Sequence, residues 1–242
     1  MEYLPDSNSR YKDVGYWDER YRREESFEWF GDLSKFQHLL EQHVKKDDAI
    51  LILGCGNSSL SFDMYQRGFR SITNVDYSSV CVETMASRHF DCPGMTWLKM
   101  DVRQLEFPEG TFDVVLEKAT LDAMMVDERD PWHVSTETAN LLHQVLKEAS
   151  RLLRPAGRFI SITFAQPHFR RRILARREYG WSVVQHSYGD GFQYFFYVMT
   201  KGEALSPEDQ ALEKRLLESE DPQAVVPREE PDSEDYLSRI CL

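Results

Sequence analysis

The chain has 242 residues, 41% of them hydrophobic and 29% charged, with a formal net charge of −12. That apolar share supports a sizeable core and excludes a chain disordered throughout. The acidic balance argues against a compact nucleic-acid binder, which is usually basic, and no apolar run approaches the roughly 20 residues a membrane-spanning helix needs.

At roughly 150 residues per domain, the length suits one domain with a tail. Met1-Glu2-Tyr3-Leu4-Pro5-Asp6 lacks the basic-then-apolar order of a cleaved secretory signal. The four cysteines, at 55, 81, 92 and 241, form no C-x-x-C pair. Neither a zinc pattern nor a disulfide framework is expected, no metal is assigned, and a reducing, cytoplasmic setting fits.

Residues 1–10 are polar and expected to be flexible. Residues 11–48 are dense in aromatics and charge and predict one or two helices leading into the core. Ser34 is the expected N-cap of the second, with Phe36, Leu39, Leu40 and Val44 behind it at helical spacing. The run Ala49-Ile50-Leu51-Ile52-Leu53 is apolar throughout, as a strand buried on both faces requires. Helix is predicted over 58–67, ended by Gly68. Strand follows over 71–75, helix over 78–88, strands over 95–98 and 112–116, and a long amphipathic helix over 136–153. Pro155-Ala156-Gly157 is read as the turn into a fifth strand over 158–164. Two β-rich segments, 181–186 and 192–200, are joined by Tyr188-Gly189-Asp190-Gly191, whose composition suits a hairpin. The expected fold is α/β: a Rossmann-like seven-stranded sheet, mostly parallel with an antiparallel C-terminal strand, and helices on both faces. Residues 203–242 hold 12 acids and 4 bases. They are expected to form a largely flexible acidic tail with a short helix over 210–218 and mobile chain over 219–233.

The most informative stretch is Ile50-Leu51-Ile52-Leu53-Gly54-Cys55-Gly56-Asn57-Ser58, where a buried strand runs into two glycines and then a helix. Glycines there permit positive φ and let backbone approach a ligand, and the carboxyl edge of such a strand is where open α/β sheets bind ligands. The third glycine of the dinucleotide fingerprint is missing, since Ser59 stands in its place. Asp76 closes the second strand, and its carboxylate suits hydrogen bonds from a ribose diol, in NAD or in S-adenosylmethionine alike. Asp101 follows the third strand, where a carboxylate and adjacent backbone can bracket an adenine ring. The fourth strand brings Glu117 and Lys118 to the same rim.

Gly54 with Gly56, Asp76, Asp101 and the fourth strand, in that order, resemble the class I S-adenosylmethionine-dependent methyltransferases from residue 49 to about 200. A narrower resemblance rests on Tyr16-Trp17-Asp18-Glu19-Arg20-Tyr21, Trp29-Phe30-Gly31-Asp32, the glycine loop, Val75-Asp76-Tyr77-Ser78 and Leu116-Glu117-Lys118-Ala119-Thr120-Leu121-Asp122-Ala123. Together these are similar to the elongation factor 1-alpha lysine methyltransferases, over residues 11 to about 205 and again at the Asp-Tyr-Leu-Ser ending near 235. Ala119 stands where that family carries glycine.

The resemblance implies a methyltransferase domain over 11–202 with an N-terminal aromatic lid over 11–48. It implies S-adenosyl-L-methionine as cofactor, S-adenosyl-L-homocysteine as product, and a lysine of elongation factor 1-alpha as the protein acceptor. Trp17, Tyr21 and Trp29 would close over the cofactor, whose sulfonium cation aromatic faces attract by roughly 0.5–2 kcal/mol. Packing of helices onto the sheet is the commoner use of such rings. Gly54, Asp76, Tyr77, Asp101, Val102 and Lys118 would line the cofactor site, Tyr77 stacking on adenine and Val102 offering it a backbone amide. Lys118 would meet the cofactor's carboxylate or a backbone carbonyl.

Methyl transfer from a sulfonium needs alignment more than a nucleophilic side chain, which fits the absence of a catalytic triad. A lysine acceptor must lose a proton, at a cost of roughly 4–5 kcal/mol at pH 7. Glu117 and Asp122 are the expected catalytic acids, attracting and orienting the amine. Asp122 also suits a helix cap. Neither an Asn-Pro-Pro-Tyr motif nor a Pro-Cys pair is present. The rival readings are a methyltransferase for RNA or a small metabolite, and a non-catalytic cofactor-binding scaffold. His168-Phe169-Arg170-Arg171-Arg172 with Arg176-Arg177 reads as a basic patch, more often a solvated helix face than a grip on an acidic protein or RNA. No membrane partner and no firm nucleic-acid signal follow, and nothing demands more than a monomer.

Overall fold

The computed structural model describes residues 5–128, 130 and 132–220. Strand β1 (Ala49–Leu53) lies in the interior of a seven-stranded sheet, and its side chains explain the layering. Successive residues of a strand point to opposite faces. Ile50 and Ile52 therefore join one buried cluster, while Leu51 and Leu53 join another.

β1 is flanked by β2 (Ser71–Asp76) and β4 (Phe112–Lys118), with β3 (Met95–Lys99) beyond β2 and β5 (Leu153–Thr163) beyond β4, all parallel. β7 (Tyr194–Thr200) pairs antiparallel with β5, and β6 (Val184–Tyr188) antiparallel with β7. The order is β3-β2-β1-β4-β5-β7-β6, so the chain reverses its direction of travel across the sheet between β1 and β4. At such a switch point the connections leave to opposite sides and open a crevice at the carboxyl ends.

Helices cover both faces. α2 (Leu33–His43), α3 (Leu60–Gln66) and α4 (Ser79–Arg88) bury Phe36, Leu40, Met64 and Met85 on one. α6 (Thr136–Leu152) lays Leu142, Val145, Leu146 and Ala149 on the other, at the spacing of one helical stripe. α1 (Val14–Arg23) and the short α5 (Thr120–Met124) flank the crevice.

The predicted seven-stranded α/β fold is the one observed, with local differences. α2 is capped by Asp32 rather than Ser34, because the Asp32 carboxylate accepts from both the backbone N–H and the hydroxyl of Ser34. β5 begins at Leu153, so Pro155-Ala156-Gly157 is a kink inside a strand rather than a turn before one. Ala156 sits at φ 62°, and the pairing with β4 shifts register there. Residues Asn8–Lys12 form a 3-10 turn instead of loose chain, and Asn8, Tyr11 and Lys12 reach the crevice.

The largest revision concerns the tail and the basic patch. α8 (Pro207–Glu220) packs on α7 (Pro167–Leu174). Arg171 meets Asp209 at 2.5 Å and Arg177 meets Glu213 at 3.1 Å, while Arg170 turns into the interior. The arginines therefore do not share one face. Arg170 is buried, Arg171 and Arg177 are engaged by α8, and the Arg177 side chain stays largely exposed. Residues 207–220 belong to the folded body. The mobile segment expected over 219–233 lies, from residue 221 on, outside the described residues.

Candidate active site

The loop leaving β1 is shaped by two glycines in the left-handed region, Gly54 at φ 59° and Gly56 at φ 52°. A Cβ on Gly54 would stand 2.4 Å from Thr120 Oγ1, and one on Gly56 would stand 3.1 Å from the Tyr21 hydroxyl. Thr120 itself donates to the Leu53 carbonyl at 2.9 Å, tying α5 to the end of β1. Asp76 closes β2 beside this loop. Its carboxylate accepts from Gly56 N at 3.0 Å and from Ser78 N at 2.9 Å, and the residue is 3% exposed. Burial raises the Asp76 carboxyl to about 6, against the pull of those backbone donors. Beneath the loop, Cys55 and Cys81 place their sulfurs within 4.8 Å of each other and of an Asp76 oxygen, and burial pushes the Cys55 thiol well up.

An aromatic wall faces the loop. Trp17 stacks on Tyr21 at 5.6 Å and donates its indole N–H to the Tyr11 carbonyl at 2.8 Å, while Trp29 meets Tyr11 edge-on at 5.5 Å. The Arg20 guanidinium lies 4.3 Å over the Phe27 ring and pairs with Glu24 at 2.5 Å. Ser78 donates its hydroxyl to Asp18, joining α1 to the end of β2. Wall, loop and rim enclose a cavity of about 870 Å³.

Lys118 is 5% exposed at the end of β4. Its ammonium donates to Glu28 at 2.8 Å and to the Trp29 carbonyl at 2.8 Å. Glu28 in turn accepts from the Ser58 hydroxyl at 2.8 Å and from Ser59 N at 2.5 Å. Glu117 is fully buried and accepts from Thr120 N at 3.0 Å, Leu121 N at 3.2 Å and the Ser161 hydroxyl. Burial and the nearby Asp122 charge raise its carboxyl, and Arg170 opposes them. Asp122 Oδ1 accepts from Thr163 at 2.6 Å and pairs with Arg170 at 2.6 Å, whereas its buried Oδ2 has no hydrogen-bond partner among the described residues.

Residues 51–161 match the family model described as a methyltransferase domain. An S-adenosylmethionine-dependent methyltransferase from Methanosarcina mazei shares the fold, with a TM-score of 0.51 at 17% identity over 69% of this chain and 98% of that one. A Bos taurus protein named EEF1A lysine methyltransferase 4 is 49% identical over 99% of this chain and 95% of its own length. The chain belongs to the eEF1A lysine methyltransferase family. A Mus musculus protein named eEF1A lysine and N-terminal methyltransferase is 37% identical over 77% of this chain, which spans only 26% of that longer protein.

The cofactor of this methyltransferase is S-adenosyl-L-methionine, and the residues present fit it. A loop kept free of Cβ atoms, a buried carboxylate at the end of β2 and an aromatic wall suited to a sulfonium meet in one cavity. The structure brings Trp17, Tyr21, Trp29, Gly54, Gly56, Asp76, Tyr77, Asp101, Val102, Lys118 and Asp122 to its lining.

The geometry changes the expectations for Glu117 and Asp101 and meets one of the two alternatives for Lys118. Glu117 does not line the cavity; three donors from the chain surround its carboxylate, so it holds the turn from β4 into α5 instead of touching an acceptor. Lys118 has found the backbone carbonyl among its two expected partners, and its other bond goes to Glu28. Asp101 is already gripped by Arg103, with Nη2 at 2.5 Å from one oxygen and Nε at 2.9 Å from the other. Glu28, Arg103 and Thr163 went unnoticed in the sequence, and Arg170 was read there as part of a basic patch, not as a partner of Asp122. Only Arg103 carried a local signal, standing two residues from its acid. The others meet partners on distant elements.

Proposed function

We propose that the chain methylates the ε-amine of a lysine in elongation factor 1-alpha, as the names of its relatives describe for them. The observation that carries this reading is the shared cavity. A loop and carboxylate suited to an adenosyl group share its lining with Asp122, whose buried Oδ2 has no hydrogen-bond partner among the described residues. The bound cofactor supplies an activated methyl, so the protein needs no nucleophile of its own. Asp76 would accept from the ribose hydroxyls, Tyr77 would stack on the adenine, and Val102 would offer the adenine a backbone amide, beside an Asp101 held by Arg103. Trp17, Tyr21 and Trp29 would exclude water and attract the sulfonium. Lys118 acts through Glu28 and Trp29, holding the aromatic wall in place.

Asp122 orients the entering amine. Its Oδ1 is fixed by Thr163 and Arg170, which leaves Oδ2 as the acceptor for an N–H of the incoming group after a small turn of the carboxylate. The paired guanidinium offsets the carboxylate charge, so the site does not trap the amine as an ammonium. The protein works as a monomer in the cytoplasm, and its methyltransferase domain runs from residue 11 through α8.

Incubation of the purified chain with methyl-labelled cofactor and elongation factor 1-alpha tests the reading. Label on one lysine, located by mass spectrometry, supports it; label on RNA or on a small metabolite of the extract, or binding without transfer, replaces it with a rival.

A further inference from the structure

Two exposed phenylalanines from different elements line the cavity. Phe164 follows β5 and is 51% exposed; Phe192 precedes β7 and is 60% exposed. Both line the cavity as well as facing outward. They are joined through two further rings. Phe30 lies 5.6 Å from Phe164 and 5.5 Å from Tyr194, and Tyr194 lies 5.1 Å from Phe192.

Phe30 is held there against its own backbone preference. Its φ is 60°, a left-handed conformation that residues with a Cβ adopt at a cost. The Tyr188 hydroxyl donates to the Phe30 carbonyl at 2.8 Å and locks the turn. A strained, locked turn that sets an aromatic ring against Phe164 and Tyr194, and through Tyr194 behind Phe192, is a built surface, not an accident of packing. Exposed apolar patches of this kind mark recognition sites. Ala165 and Gln166, which continue the cavity wall from Phe164, add no charge to it.

Resting on the function proposed above, the occupant follows from reach. A lysine side chain is about 6 Å long when extended. Asp122 bonds Thr163, the residue before Phe164, so an amine at Asp122 leaves its own backbone within a side chain's reach of Phe164, on the cavity lining that Phe192 shares. We propose that this Phe164–Phe192 surface docks the substrate segment that carries the acceptor lysine, and that the segment presents an apolar side chain within two residues of that lysine. In an extended segment a neighbour two positions away projects from the same side as the lysine, which is the side that faces this surface.

The test uses the full chain with elongation factor 1-alpha as acceptor. The double variant Phe164→Ser with Phe192→Ser is expected to raise KM for the protein substrate at least tenfold, while calorimetric affinity for the cofactor stays that of the unaltered chain. Leucine at both positions recovers most of the lost affinity, because the contact is apolar and not specific to aromatic shape. Serine in place of the apolar residue flanking the methylated lysine is expected to raise KM similarly. It also removes most of the further effect of the double variant, as coupled contacts do. A KM unmoved by the double variant, additive effects, or a methylated lysine without an apolar neighbour within two positions overturns the docking surface alone. No transfer to any lysine by the unaltered chain overturns the function and the docking surface together.

Discussion

The Lys118 ammonium stands 2.8 Å from a Glu28 oxygen and 2.8 Å from the Trp29 carbonyl, so the last residue of a central strand holds the aromatic wall of the cavity. The same Glu28 accepts from Ser58 and Ser59, which begin the turn into α3. One carboxylate therefore links sheet, wall and cofactor loop. Lys118→Met leaves Glu28 largely buried without its cation. Breaking a buried pair costs about 3–5 kcal/mol; the serine donors that remain on Glu28 bring the expected loss to roughly half of that. Thermal denaturation should fall by about 2–4 °C for each kcal/mol in a chain of this size, and cofactor affinity should weaken with it. Lys118→Arg does not restore either, because the planar guanidinium cannot take both partners in the same space. Unchanged melting and unchanged cofactor titration in Lys118→Met would remove the latch.

Asp76 gives a pH dependence with a definite sign. Burial raises its carboxyl to about 6 in the cofactor-free chain. Hydrogen bonds from a ribose diol favour the ionised form and lower the value in the complex. Binding then releases a proton below pH 6, so affinity for S-adenosyl-L-methionine should climb from pH 5 and level off near pH 7, by about tenfold overall. Asp76→Asn should flatten that limb in calorimetry and weaken binding throughout, by roughly 1.5–3 kcal/mol for hydrogen bonds to a charged group. The folded carboxyl also titrates above its unfolded value near 3.9. The folded chain binds more protons over that window, so this residue's contribution to stability is present at low pH and lost as pH rises from about 4 to 6. Melting temperatures of the cofactor-free chain should show that drift, and Asp76→Asn should not.

What the sequence disclosed was what repeats locally. Apolar runs such as 49–53 announce buried strands because every position must face a helix layer, and the glycines at 54 and 56 announce a close approach of backbone to ligand. The contacts that shape the site have no such period. Nothing at Glu28 points to Lys118, 90 residues away. Nothing in Arg170-Arg171-Arg172 distinguishes an arginine bound for the interior from one on the surface, because i, i+1 and i+2 leave a helix in different directions only once its docking face is known. Glu117 and Asp122 read alike as acids after a strand. Only the sheet register, which pairs Glu117 with Ser161, reveals that one is sealed beneath the rim.

Asp122 and Arg170 should separate in their effects. Asp122→Asn keeps the shape of the carboxylate but not its charge, so Thr163 retains a partner while the acceptor at Oδ2 is lost or weakened. Turnover with the protein acceptor is expected to fall by about 10²–10³, in the range for a positioned proton acceptor, with cofactor affinity preserved. Arg170→Met instead leaves a buried carboxylate without its cation, at about 3–5 kcal/mol, and should lower the melting temperature as well as turnover. Equal loss of stability in both variants, with turnover intact in Asp122→Asn, would make the pair purely structural.

The docking of α8 through Asp209 makes a claim about the tail. Asp209 is 2% exposed and pairs with Arg171 at 2.5 Å, and Ser206 donates to it at 2.9 Å. Arg171 also donates to the Val183 carbonyl at 3.3 Å, next to β6. Asp209→Ala therefore strips a buried guanidinium contact at the seam between α7 and the sheet edge. It is expected to cost about 2–4 kcal/mol, since one partner of a sheltered pair is removed while the other stays. Asp209→Asn, which still accepts one hydrogen bond, should recover part of that. High salt should change the wild-type melting temperature little, because a sheltered pair is screened far less than a surface one. A variant ending at 205 should lose at least as much as Asp209→Ala. If the chain ending at 205 kept the full melting temperature, α8 would be an appendage and not part of the domain.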